Sequence, residues 1–307
     1  MLIAMKAVSK IMSGLATLAL RALALLPLSV LYALSDLGYY VLRYVVRYRR
    51  DVVRENLRLS FPEKSENELR AIERDFYRNF ADNAVETVKM LHISDKQMMR
   101  RMKFENVEII DELFSQGRDI VAYFSHCGNW EWATSVGLHC DPEDAGKVDF
   151  GFVYRPMKNE EVDRLLLTTR TRFKSTPYPK ATVLRHLIRL RRSGCRFITG
   201  FMSDQKPSHG DPTQVLMFLN HPTAMITGTE TLARKLDTAA IYWDMEKVSR
   251  GHYRVTCRML AHSVAAEKPG TLTAAYAACL QDTIRRQPSI WLWSHKRWKI
   301  PVTMPCE

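Results

Sequence analysis

Asp119-Ile120-Val121-Ala122-Tyr123-Phe124-Ser125-His126-Cys127-Gly128-Asn129-Trp130-Glu131 carries most of what this chain says about its fold. After Asp119 the next five residues are apolar and partly β-branched, so Asp119 to Phe124 has the pattern of a buried strand, and a helical pattern runs from Trp130 to His139. His126 and Glu131 are five residues apart, roughly 140° round a helix of 3.6 residues per turn, so they cannot share a helical face. Bringing them together requires a strand-to-helix turn. His126 then sits in the loop, Gly128 and Asn129 supply the bend, and Glu131 falls in the first helical turn.

Outward from this stretch, short β-rich runs alternate with helical ones. Val148 to Tyr154 and Arg196 to Met202 read as strands, with helices at Asn159 to Phe173 and Ala181 to Arg192 between them. Ala239 to Glu246 and His252 to Met259 flank Ser249-Arg250-Gly251 as a hairpin. Thr271 to Arg286 reads as a closing helix and Ile290 to Trp298 as a last strand. Such alternation predicts an α/β fold, a sheet with helices over its faces. Three polar clusters follow predicted strands: Ser125-His126, Arg155, and Asp204-Gln205. Ligands of open α/β sheets bind beyond the carboxyl ends of the strands, so the three are expected in one crevice.

With 307 residues, 46% of them hydrophobic, the chain can bury a sizeable core. Its formal charge of +12 suits anionic partners: an acidic membrane surface, phosphorylated substrates, an acidic carrier protein or nucleic acid. Nucleic acid is disfavoured, because the basic residues come with neither an aromatic RNA-binding motif nor a helix-turn-helix pattern. The six cysteines form no CxxC pair, which fits a reducing compartment. His126-Cys127 and His139-Cys140 are adjacent pairs rather than zinc-ligand spacings, so no metal site is expected.

Ile11 to Leu34 is almost wholly apolar, interrupted by Arg21 and Pro27, and as a helix would run ~36 Å, enough to span a bilayer. Arg43, Arg47, Arg49, Arg50 and Arg54 follow, interleaved with Tyr39, Tyr40, Tyr44 and Tyr48, like an interfacial belt with a basic cytoplasmic flank. Arg21 keeps an in-plane anchor open beside a spanning helix, and a buried core helix is a further reading of the same run. The expected organisation is an N-terminal membrane-anchoring helix with its basic flank over residues 1–50 and a catalytic domain over 51–307. Ser65 and Glu68 open a helix as a capping box, with Leu69, Ile72, Phe76, Phe80, Ala84 and Val88 at helical spacing.

The chemistry expected of the crevice centres on His126. An imidazole titrates near neutrality and can take a proton from an attacking hydroxyl. Glu131 is expected to accept the other ring N–H and fix the tautomer, as the third member of a triad does. Arg155 is the first candidate for stabilising a developing oxyanion, with backbone N–H groups of the turn or the helix start as a second source. Asn129, Asp204 and Gln205 are the substrate-binding candidates, though Asp204 and Gln205 could equally hold the crevice in shape. A lone His-x4-Glu arises often by chance and carries weight only in this setting. Most of the tryptophans read as core or interface anchors.

The Tyr123 to Glu131 segment resembles the lipid A biosynthesis (late, Kdo-dependent lauroyl/myristoyl) acyltransferase family, within the lysophospholipid acyltransferase-like superfamily. Asn56-Leu57, Phe61-Pro62, Tyr154-Arg155-Pro156 with Asn159 and Asp163, Asp204-Gln205, the helix Thr229 to Leu236 and Trp291-Leu292-Trp293-Ser294-His295-Lys296-Arg297-Trp298 look like its landmarks, in order, over roughly residues 10–300. The resemblance implies a glycerol-phosphate-acyltransferase-like mixed sheet covered by helices, with a single N-terminal anchor in the cell inner membrane and the catalytic domain on the cytoplasmic side. It implies transfer of a fatty acyl group to a hydroxyl of a lipid A precursor, with acyl carrier protein or acyl-CoA as co-substrate and no other cofactor. The family's His-x4-acid pair maps onto His126 and Glu131, and its arginine onto Arg155. Phe218-Leu219-Asn220-His221-Pro222 departs from the aromatic pair and glycine usual there, which leaves another membrane lipid open as acceptor. A non-catalytic basic membrane-surface protein of the same fold is the alternative of a different class.

Overall fold

The computed structural model describes residues 14, 16–140, 147–157, 159–299 and 302–304. Helix α1 (residues 16–25) leads into α2 (Leu28–Tyr40), a π-helical turn (Val41–Val45), α3 (Arg50–Ser60) and α4 (Glu66–Lys89). Then come α5 (Asp95–Arg101), β1 (Met102–Glu105), α6 (Glu108–Ser115), β2 (Ile120–Phe124) and a 3-10 helix (Trp132–Leu138). β3 (Val148–Tyr154), α7 (Glu160–Arg170), β4 (Ser175–Pro179), α8 (Val183–Arg192) and β5 (Arg196–Met202) form the middle of the chain. The rest is β6 (Thr213–Phe218), β7 (His221–Ile226), α9 (Gly228–Leu236), β8 (Ala239–Ser249), β9 (His252–Ala261) and α10 (Thr271–Arg286).

Seven strands form one sheet in the order β1-β9-β8-β2-β5-β3-β4, and β6 pairs with β7 in a separate hairpin. β8, β2, β5, β3 and β4 run parallel, and β9 turns back antiparallel on β8. The expected α/β sheet, mixed and flanked by helices, is therefore present. β2 is buried along its whole length. Val121 and Tyr123 enter one core, while Ile120, Ala122 and Phe124 enter the other. A strand covered on both faces reads as a continuous apolar run, which is why this one was visible in the sequence. Ser65 and Glu68 do form a reciprocal capping box at the start of α4.

Ile290 to Trp298, expected as a strand, is instead a 3-10 turn (Pro288–Ile290) followed by bends, with a single bridge from Trp291 to Cys127. Its indoles are fixed one at a time: Trp291 to Asp204, Trp293 to the Pro288 carbonyl, Trp298 to Thr223. Side chains, not a ladder, order this segment. The sequence reading also passed over β4, whose Ser175-Thr176-Pro177-Tyr178-Pro179 carries two prolines that only an edge strand tolerates.

The amino-terminal helix departs most from expectation. Among the described residues no helix is long and apolar enough to cross a membrane; residues 11–13 and 15 of the apolar run lie outside them. Pro27 breaks the run, since it lacks an N–H and clashes with the preceding turn. Beyond the break, α2 lies along α4. Leu31, Ser35 and Tyr39, four residues apart, are its buried positions. Tyr32 donates to Glu86 (2.9 Å), Ser35 to Asp82 (2.8 Å), and Lys89 to the carbonyls of Ala24 and Leu26. A helix held by polar bonds along one side is a docked helix, and a spanning segment finds no support among the described residues.

Candidate active site

Parallel pairing sets Phe124 beside Met202 and Phe152 beside Gly200, so β2, β5 and β3 end on the same edge. The polar clusters that follow these strands meet there. His126 and Asp204 are bonded twice: Nδ1 lies 2.8 Å from Oδ1, and the His126 backbone N–H donates to Oδ2 over 3.1 Å. Trp291 Nε1 donates to the same Oδ2 at 2.9 Å. A carboxylate facing Nδ1 places the ring proton there and leaves Nε2 as acceptor, and the Gln205 amide nitrogen stands 3.1 Å from it. Burial alone would raise Asp204, but the neighbouring His126 and the hydrogen bonds from His126 and Trp291 hold it down at about 2. Burial also pushes the nearby His295 down to about 4.

Glu131 does not fill the role expected of it. Both its oxygens are taken by Arg170, at 2.6 and 2.8 Å, and it stands in the cavity wall. The acid that holds the imidazole is Asp204, 78 residues away in sequence. The physical reason is the turn: Glu131 begins the 3-10 helix on the α7 side, whereas Nδ1 points toward the end of β5. His126 instead packs edge-on to Trp130, with ring centroids 5.2 Å apart.

The turn itself is built as expected and supported from outside. Gly128 has a φ of +55°, and a Cβ there would meet Met245 Sδ at 2.6 Å, so glycine is required twice over. Its N–H bonds the Ile290 carbonyl and its carbonyl accepts from Asn83. Asn129 is buried and outside the cavity, which corrects its place among the substrate-binding candidates. Its Oδ1 caps the Trp132 N–H and its Nδ2 donates to Glu86 (2.7 Å). Glu86, which also accepts from Tyr32 and Tyr253, is pushed up by its burial. It went unnoticed in the sequence, although Asp82, Glu86 and Lys89 at helical spacing near the end of α4 were the available signal.

His126, Glu131, Arg155 and Gln205 line a cavity of about 680 Å³, and Asp204 stands behind His126 outside the lining. Phe124, Phe152, Phe201, Leu184, Ile226 and Leu232 give it apolar wall. Gly200 keeps that wall open, since a Cβ would come within 2.8 Å of Phe152 and 3.0 Å of Phe124. Arg155, Arg170, Lys180, Lys206 and Lys235 make the same cavity cationic. Arg155 is exposed and bonds only loosely to Ser208, at 3.3 Å, which leaves it free to turn toward a substrate. The backbone N–H groups of His126 and Gly128 are already engaged, so the second expected source of oxyanion donors loses both. Leu219 and Asn220, with φ of +48° and +67°, form the two-residue turn between β6 and β7 and do not line the cavity. The departure from family pattern there is a matter of turn chemistry. Among the described residues no group of His, Cys, Asp and Glu could hold a metal ion.

An imidazole backed by a buried carboxylate, opening on a cavity that accepts both hydrocarbon and negative charge, is the equipment of an enzyme that moves fatty acyl groups. The chain belongs to the bacterial lipid A biosynthesis acyltransferases, whose family model matches residues 3–300. It is similar to the lipid A biosynthesis lauroyltransferase of Escherichia coli (strain K12), with 25% identity over 282 residues covering 89% of this chain and 87% of that one.

Proposed function

We propose that this acyltransferase moves a fatty acyl group from a thioester on acyl carrier protein to a hydroxyl of a lipid A precursor, with His126 as general base. The observation that carries the mechanism is the His126–Asp204 bond beside the mixed apolar and cationic cavity. Nε2 takes the proton of the acceptor hydroxyl as its oxygen attacks the thioester carbonyl. Asp204 steadies the imidazolium that forms, and Arg155 swings from Ser208 to meet the oxyanion. Collapse breaks the carbon–sulfur bond, and the imidazolium returns its proton to the departing thiolate. Glu131, fixed by Arg170, shapes the acceptor side of the cavity. Gln205 holds Nε2 until the hydroxyl displaces it.

The family membership supports a lipid A precursor as acceptor, and the charge of +12 suits an acidic carrier protein as donor. In this reading the enzyme works at the cytoplasmic face of the inner membrane with α1 and α2 lying in the surface. Leu18, Leu25, Val30, Leu34 and Leu37 support that placement, since all are more than 40% exposed. His126→Ala is expected to lower acyl transfer on the order of 10³-fold or more, with the chain still folded and vesicle binding retained. Full activity in that variant would remove the mechanism. Mass spectrometry of total lipids with and without the protein tests the acceptor: one acyl chain lost from lipid A is expected, and an unchanged lipid A with another lipid altered would overturn it.

A further inference from the structure

Away from His126, α3 and α4 enclose a second concave surface of about 380 Å³ that shares no lining residue with the catalytic cavity. Five arginines line it, Arg43, Arg50, Arg54, Arg58 and Arg70, against only two carboxylates, Glu66 and Glu73. Glu73, buried at 2% side-chain exposure, is shared by three of them: Arg54 Nε at 2.8 Å, Arg50 Nε at 3.4 Å and Arg43 Nε at 3.6 Å. Glu66 is occupied by both bonds from Arg58. Arg70 makes no hydrogen bond or ion pair among the described residues. Two carboxylates can neutralise only two of the five guanidinium charges, so an ion-pair network joining the two helices does not account for the whole set. Three positive charges are left in excess in the concave site, with Arg70 unpaired among the described residues and Arg50 holding only a share of Glu73.

A compact anion with several oxygens matches such a set of guanidinium forks, and phosphate is that anion. The surroundings say where the phosphate comes from. Between Arg43 and Arg50 the chain exposes Val45 at 75% and Val46 at 59%, continuing the exposed face of α2 at Leu37. Apolar side chains open to the outside beside a cationic pocket are the layout of an element seated on an anionic bilayer. We propose that this arginine pocket binds the phosphate of an anionic membrane phospholipid and so fixes how the enzyme sits on the bilayer. The proposal rests on the membrane-surface placement of α1 and α2 given above.

The test is flotation of the full chain with phosphatidylcholine vesicles, with and without phosphatidylglycerol. An arginine near an anionic surface contributes about 1 kcal/mol, or roughly five-fold, so the double variant Arg50→Gln/Arg70→Gln should bind the anionic vesicles about 25-fold more weakly. Arg54 stays in place to serve Glu73. If the double variant does not fold, Arg70→Glu, which breaks no bond, should still lose at least about five-fold. Removing the same charge from exposed Arg185 and Arg189 of α8 should cost much less. Wild-type binding by the pocket variants, or an equal loss from α8, overturns the proposal. An effect confined to the acceptor KM in detergent, with vesicle binding intact, also overturns it and gives the pocket to the acceptor's own phosphate. A wild-type chain that ignores anionic vesicles altogether sinks the membrane placement first.

Discussion

Asp204 is 2% exposed and its carboxyl is still held low, because the neighbouring His126 and the hydrogen bonds from His126 and Trp291 outweigh the cost of burying it. Asp204→Asn keeps the shape but presents an amide to Nδ1, and we expect kcat to fall roughly 10³-fold or more, as loss of the orienting acid does in triads. Its carboxylate is depressed from 3.8 to about 2, so its contribution to stability is full above the ordinary value and is lost as pH falls toward about 2. The melting-temperature gap between wild type and Asp204→Asn should close over that window. A gap that stays constant to the acid end would mean Asp204 is held by something other than its charge. Glu131→Gln makes the opposite case: it strips Arg170 of its only carboxylate partner among the described residues and should lower the rate, yet leave the acid limb of the pH–rate profile where it is. If that limb moves with Glu131 and not with Asp204, the assignment of the orienting acid is reversed.

At the level of elements, α4 is the piece that joins the amino-terminal helix to the catalytic turn. Its Glu86 receives Tyr32 from α2, Asn129 from the turn and Tyr253 from β9. Glu86→Ala strands all three donors, and at ~1–3 kcal/mol for each unsatisfied buried group we expect at least about 3 kcal/mol of destabilisation in chemical denaturation. A loss under 1 kcal/mol would show that water or a rearranged turn takes over these bonds. Gly200→Ala acts on the other side of the site. The added methyl presses Phe152 and Phe124 into the cavity, so discrimination against longer acyl donors should sharpen in a competition between chain lengths, with little effect on the shortest.

The whole molecule separates two surfaces: the candidate active-site cavity at the strand ends and an apolar, arginine-flanked face on α2 and the turn after it. Leu37→Asp together with Val45→Asp should release the protein from vesicles while acyl transfer to detergent-dispersed acceptor continues near its normal rate. Loss of both together would place the helix in the catalytic machinery instead. With a charge of +12, vesicle binding should also weaken as salt rises and the Debye length contracts.

Local pattern was enough for the elements whose residues are chosen by their own periodicity. β3, β5 and α10 fall where the sequence put them, and so do the capping box of α4 and the bend at Gly128, because apolar spacing, a capping pair and a positive φ are short-range demands. The order of strands also made the meeting of His126, Arg155 and Gln205 legible, since parallel strands bring their carboxyl ends to one edge. Which acid serves His126 was not legible. Glu131 is near in sequence and Asp204 is near in space, and only the packed turn decides which way Nδ1 faces. The same holds for α2: an apolar composition fits a bilayer or a docked face equally well, and the buried bonds to Asp82 and Glu86 that distinguish them come from residues about fifty positions away.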